Sequence, residues 1–188
     1  MNQQREIRFT VVRSRRKTLA VEIGPKGMIV RAPMGARDSE IRSFIAQNRG
    51  WIEAHLQKAE ERQKAAAQVP KLTNGELHAL ADQALKIIPE RVRFYAERIG
   101  VTYGRITIRN QRTKWGSCTS QGNLNFNCLL MLAPQEVLDS IVVHELCHRK
   151  VMNHSRAFYD EVLRVFPEYP KCQQWLKENG PLLMARME

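Results

Sequence analysis

The sequence predicts an α+β protein with a basic N-terminal part of strands and helices and a larger C-terminal part built around one motif-bearing helix. Three observations lead there. Short runs rich in Val, Ile, Phe and Thr near the N-terminus partly alternate with Arg, as strands do. Longer stretches repeat apolar residues at helical spacing. Residues 144–148 read His-Glu-Leu-Cys-His, which places two histidines one helical turn apart.

Taken in order, residues 6–13 and 18–23 predict strands around the basic turn Ser14-Arg15-Arg16-Lys17. The turn Gly24-Pro25-Lys26-Gly27 leads to a third strand, Met28 to Ala32, ended by Pro33 and Gly35. Asp38 reads as an N-cap, followed by the apolar stripe Ile41, Phe44 and Ile45. A second helix covers Gly50 to Ala67. Pro70 and Asn74-Gly75 mark residues 68–75 as a linker, so the expected parts are 1–67 and 76–188. Leu77, Leu80, Ala84, Leu85 and Ile88 then predict a helix that Pro89 kinks or divides, with Gly100 as its stop. Ile106 to Ile108 and Leu124 to Asn127 read as strands, with Gly122-Asn123 as the turn between them. Pro134 opens the helix with Val137, Leu138, Ile141 and Val142 on its apolar face, and this helix carries the motif. A helix at 156–165 and a short one at 171–177, separated by Pro167 and Pro170, complete the chain.

Composition narrows the class. The 188 residues carry 30 Lys and Arg against 19 Asp and Glu, a net charge of +11. Residues 1–67 hold 14 basic and 7 acidic residues, a net +7, whereas 134–188 hold 7 and 8, a net −1. The basic excess therefore lies away from the motif, and the N-terminal region is the part suited to nucleic acid or acidic partners. The longest apolar run, Leu129 to Ala133, is too short for a membrane span, and the Arg-rich start does not read as a secretory signal. The expectation is a cytoplasmic protein with no membrane partner. Its four cysteines form no CxxC pair and read as reduced thiols.

The motif carries the chemistry. Histidines four apart on a helix lie about 40° apart around its axis, so both can reach one tetrahedral Zn2+. Glu145 then stands beside the ligands, placed as a general base for water attacking a carbonyl or phosphoryl centre. With 5 His and 15 Glu in the chain, the pattern arises by chance about 0.01 times per chain. A third ligand is expected at His154. On a continued helix His154 would lie about 9 Å beyond His148 and about 240° around, so the chain must turn first. Val151 stands where a related spacing carries Gly, and Asn153 is a left-handed candidate in its place. Ser155 is the expected cap of the next helix. The rival ligand is Glu168, in a Pro-flanked segment. His55 and His78 lie far off on polar helices.

Two segments together carry a family resemblance. One is Arg112-Thr113-Lys114-Trp115-Gly116-Ser117-Cys118 with Gly122-Asn123-Leu124-Asn125-Phe126-Asn127 and Leu132-Ala133-Pro134. The other is residues 144–148 with Asn153-His154-Ser155 and Phe158-Tyr159. The chain resembles, over nearly its whole length, the YgjP-like family of metal-dependent hydrolases, relatives of the SprT-like zincins. Tyr159 stands where the family often has Trp. The resemblance implies a zincin-like core, with a small antiparallel sheet beside the motif helix, three His ligands and a Glu base.

The substrate stays open between three readings. A metallopeptidase acting on peptide or protein is the first. A nucleoside triphosphate pyrophosphatase is the second, suggested by Arg112 and Lys114 as phosphate clamps. A nucleic-acid-associated module with a vestigial zinc site is the third, and the intact Glu145 speaks against it. Trp115 is expected more often as a wall than as a stacking surface. Asn125 and Asn127 share one strand face and are expected to line a cleft, hydrogen-bonding substrate or a ligand histidine.

Overall fold

The computed structural model of the chain describes residues 7–24 and 27–187. The chain forms two compact units that divide after Gln68, each with its own core.

In the first unit, β1 (Phe9–Ser14), β2 (Ala20–Gly24) and β3 (Gly27–Pro33) are followed by α1 (Asp38–Gln47) and α2 (Arg49–Gln68). Strand β3 alternates buried Met28, Val30 and Ala32 with less buried neighbours, and these pack with Ile41, Ile45 and Ile52 of the helices. The most apolar strand takes the centre, giving the order β1-β3-β2 with β1 parallel and β2 antiparallel to β3. The basic turn at 14–17 thus joins β1 and β2, which each pair with β3 and not with one another. Residue 6 and the Pro25-Lys26 centre of the next turn fall outside the described residues. Asp38 is the first helical residue, not the cap. The Glu40 carboxylate accepts the Arg37 N–H at 2.8 Å, while Asp38 pairs with Arg13 at 2.7 Å.

The second unit contains α3 (Asn74–Ile99), β4 (Ile106–Arg109), β5 (Gly116–Cys118) and β6 (Leu124–Asn127). A 3-10 turn (Cys128–Leu132), α4 (Gln135–Cys147), α5 (Arg156–Val165) and α6 (Tyr169–Ala185) follow. Helix α3 starts inside the stretch read as a linker, because Thr73 and Glu76 cap it reciprocally: the Thr73 Oγ1 accepts the Glu76 N–H and the Glu76 carboxylate accepts the Thr73 N–H. Pro89 does not divide it. Ile88 and Val92 anchor the helix on both sides of the proline in the core, which outweighs the one lost backbone bond. Gly100 ends α3 in the left-handed conformation, φ 76°.

The sheet order β4-β6-β5 repeats the topology of the first unit. Here β6 is central, parallel to β4 and antiparallel to β5. The sheet is therefore mixed, not antiparallel, and Gly122-Asn123 closes the β5–β6 hairpin instead of joining β4 to β6. Pro134 sits just before α4, its carbonyl accepting the N–H groups of Val137 and Leu138. Helix α6 is longer than the short helix expected. Pro170 lies in its first turn, where no backbone bond is lost, and Pro181 is accommodated inside it.

Helix α4 is buried on nearly every side, among Val92 and Ala96 of α3, Phe126 of β6, Phe158 of α5 and Leu176 of α6. Its buried Asp139 accepts two bonds from Arg91 of α3, at 2.7 and 2.6 Å, and a third from the Tyr95 hydroxyl at 3.2 Å. Asp139→Ala leaves a partly buried guanidinium unpaired and should cost about 2–4 kcal/mol, read from the denaturant midpoint. The joint replacement Arg91→Met, Asp139→Leu should recover most of that loss. An unchanged midpoint in the single variant refutes the clamp. Among the described residues no helix is long and apolar enough to cross a membrane.

Candidate metal centre

His144 comes from the last turn of α4, His148 is the residue that caps its C-terminus, and His154 lies in the loop before α5. After Cys147 the helix tightens: the N–H of Arg149 bonds to the carbonyl of Leu146, and those of Lys150 and Val151 to that of Cys147. This tightening turns the chain with no left-handed residue, since none of the described non-glycine residues has positive φ. Asn153 contributes in another way: its Oδ1 accepts the Ser155 N–H at 3.3 Å, which bends the chain into α5. Ser155 occupies the cap position without a side-chain cap bond.

The result is a three-histidine cluster with one ligand atom of each within 4.8 Å of the others. The ring centroids form a near-equilateral triangle with sides of 4.9, 4.9 and 4.8 Å. The fully buried ring of Phe158 backs all three, at 4.9, 4.5 and 5.0 Å. Nδ1 of His144 bonds to the Tyr169 hydroxyl at 2.7 Å, and Nδ1 of His148 to the Val151 carbonyl at 3.1 Å. Both rings therefore keep Nε2 for the centre, where His144 Nε2 lies 3.0 Å from that of His154. Burial first, and the neighbouring imidazoles second, push His144 down to about 4; burial likewise lowers His148. Neutral imidazoles in this arrangement fit a dication of the zinc type, and three nitrogen donors leave one tetrahedral position open.

Glu145 is buried, 5% exposed, and points at the edge strand β5. A Cβ at Gly116 would meet its Oε1 at 2.7 Å, so only glycine leaves room for the carboxylate there. Burial pushes Glu145 up to about 8, against the pull of Lys114 and a bond from the Cys118 backbone.

Arg112 and Lys114 stand exposed on the loop before β5. Trp115 is half-buried against the core and packs on Gly180 of α6, a wall residue. Asn125 donates to the Ser117 hydroxyl at 3.2 Å. Asn127 is not available to a cleft: β6 is a central strand, and this residue is fully buried. Its amide donates to the carbonyls of Gln111 and Lys114 and accepts the Leu129 N–H, so it pins the loop from inside. His55 stacks on Trp51 in the first unit and His78 is exposed on α3. Glu168 occupies the position before α6 without a side-chain cap bond and pairs with Lys171 at 2.5 Å. Cys118 is half-buried, the other three cysteines are buried, and all four are free thiols. Tyr169 was not anticipated as a partner of His144. No spacing rule links residues 25 positions apart on different helices.

Three converging imidazoles with a carboxylate in the adjacent helical position are a donor set that could hold a metal ion, the class of a metal-dependent hydrolase. The family model described as YgjP-like, metallopeptidase domain, matches residues 17–85 and 77–179, and the chain belongs to this family. Two solved metallopeptidase zymogens are similar to it. Jannalysin of Methanocaldococcus jannaschii is 23% identical, with 50% of this chain and 97% of that one covered and a TM-score of 0.45. Abylysin of Pyrococcus abyssi is 20% identical, with 49% and 94% covered and a TM-score of 0.45. No curated protein matches the chain.

Proposed function

We propose that this protein is a zinc-dependent peptidase in which His144, His148 and His154 hold the metal and Glu145 is the general base. The convergence of three imidazole nitrogens beside a buried carboxylate carries this reading. The bound ion supplies Lewis acidity, acidifying water and polarising a carbonyl. Glu145, held between α4 and Gly116, takes the proton of the attacking water and passes it to the departing amine nitrogen. Burial raises its proton affinity, and a nearby dication would draw that affinity down and leave the carboxylate free to accept a proton. Tyr169 and the Val151 carbonyl keep two ligand rings in the productive tautomer. Phe158 closes the back of the site to water. Strand β5 is an edge strand to which an extended peptide can add. Arg112, Lys114 and Asn125 are the substrate-side residues of the proposal, whereas Trp115 and Asn127 serve packing.

Zinc-loaded protein should cleave a mixture of unstructured peptides and leave nucleoside triphosphates and single-stranded DNA intact. Zinc content should be one ion per chain. Pyrophosphate release from a triphosphate with all peptides intact would replace this reading with a phosphohydrolase.

A further inference from the structure

We infer that the groove between α5 and α6 is a side-chain subsite for a large apolar residue of the substrate, beside the metal centre. This deepens the peptidase reading and rests on it for the identity of the ligand. The first observation is an excess of apolar surface. On α5, Phe158 and Val162 are fully buried and suffice to seat the helix. Tyr159 and Leu163, also four apart, form a second apolar row beside them and remain 41% and 39% exposed. That row is one wall of a groove of about 540 Å³, and Tyr169, Pro170 and Gln173 of α6 form the other.

The second observation is continuity with the histidines. The Tyr169 ring that lines the groove is the one whose hydroxyl bonds to His144 at 2.7 Å. The Tyr159 ring lies 6.2 Å from that of His154 and 6.4 Å from that of Tyr169. The groove therefore starts where the metal centre ends, within one side-chain length. A residue whose carbonyl lies at the centre can lay its side chain over the exposed Tyr159 ring towards Leu163 and Pro170.

The third observation is the polar end of the groove. Gln173 of α6 lines the groove as an uncharged amide side chain, and a substrate backbone beside an inserted side chain would pass along it. Lys177 at the rim opposes a basic side chain. The occupant fitting these walls is Leu, Met, Phe or Tyr.

Two measurements test this. The zinc-loaded protein is given a pooled random peptide mixture, and the cleavage sites are read by mass spectrometry. One position flanking the cut should favour Leu, Met, Phe or Tyr over Gly and Asp by about tenfold or more. Leu163→Asp should erase that preference with zinc content unchanged. Independently of turnover, N-acetyl-L-phenylalaninamide should shift the backbone NMR signals of Tyr159 and Leu163 and the side-chain amide of Gln173, whereas N-acetylglycinamide should not. Cleavage without an apolar preference, or a preference unchanged in Leu163→Asp, overturns the subsite and leaves the peptidase reading standing. Selective binding of the phenylalanine amide with no peptide cleaved supports the groove and removes the peptidase reading. Equal shifts, or none, from both amides overturn the groove.

Discussion

Zinc-loaded Glu145→Gln protein should keep its metal and its fold and lose peptide hydrolysis by about 10²–10⁴-fold, the contribution of a positioned general base. The substitution is nearly isosteric, which matters because the side chain lies tight against Gly116, where a Cβ would meet its Oε1 at 2.7 Å. The amide oxygen can still accept the Cys118 backbone bond, so local packing is preserved. The buried carboxyl has no ion pair among the described residues, and a neutral amide adds no desolvation cost. What disappears is the ability to take a proton. Parallel measurement of kcat/KM, zinc content and melting temperature separates the effects. Activity within a few-fold of the parent, at equal zinc content, would remove Glu145 from the base role.

Removing the His154 imidazole should weaken zinc binding by more than about 100-fold, beyond the 10–100-fold typical of losing a ligand's hydrogen-bond partner. The open tetrahedral site would fall from three protein donors to two. His154 is exposed, so His154→Ala creates no cavity and the loss is one of coordination. Glu168→Ala is the matched control. That carboxylate stands at the start of α6, exposed and paired with Lys171, and its removal should leave zinc affinity within about twofold. Competition with a chromophoric chelator measures both variants. A large loss in Glu168→Ala with His154→Ala unchanged would exchange the two assignments.

Much of the site is visible in local spacing. Two histidines four apart on a helix opened by Pro134 must share a face, and a helix carried onward would have aimed His154 away, so a turn was required. The turn's mechanism was not visible: the chain tightens over Leu146–Val151 instead of using a left-handed Asn153. The alternation in Met28, Val30 and Ala32 marks β3 as half-buried, whereas the Thr73–Glu76 capping box, equally local, starts α3 inside the stretch read as a linker. All of these depend on contacts within one or two turns of chain, which is the range over which spacing carries information.

Pairing order lies beyond that range. Placing β6 at the centre of its sheet withdraws Asn127 from any cleft and leaves β5 at the edge, where Gly116 meets Glu145. Pro89 and Pro181 persist inside helices because packing of Ile88, Val92 and Leu176 outweighs a backbone bond, a balance that propensity alone reads the other way. Tyr169 reaches His144 only because α4 and α6 pack together, and the groove beside it exists only where α5 and α6 diverge. The metal-binding donors are thus a local property of a helix and the loop after it. The base's confinement, the ligands' tautomers and the shape offered to substrate come from long-range packing, which sums many weak contacts between residues far apart in the chain.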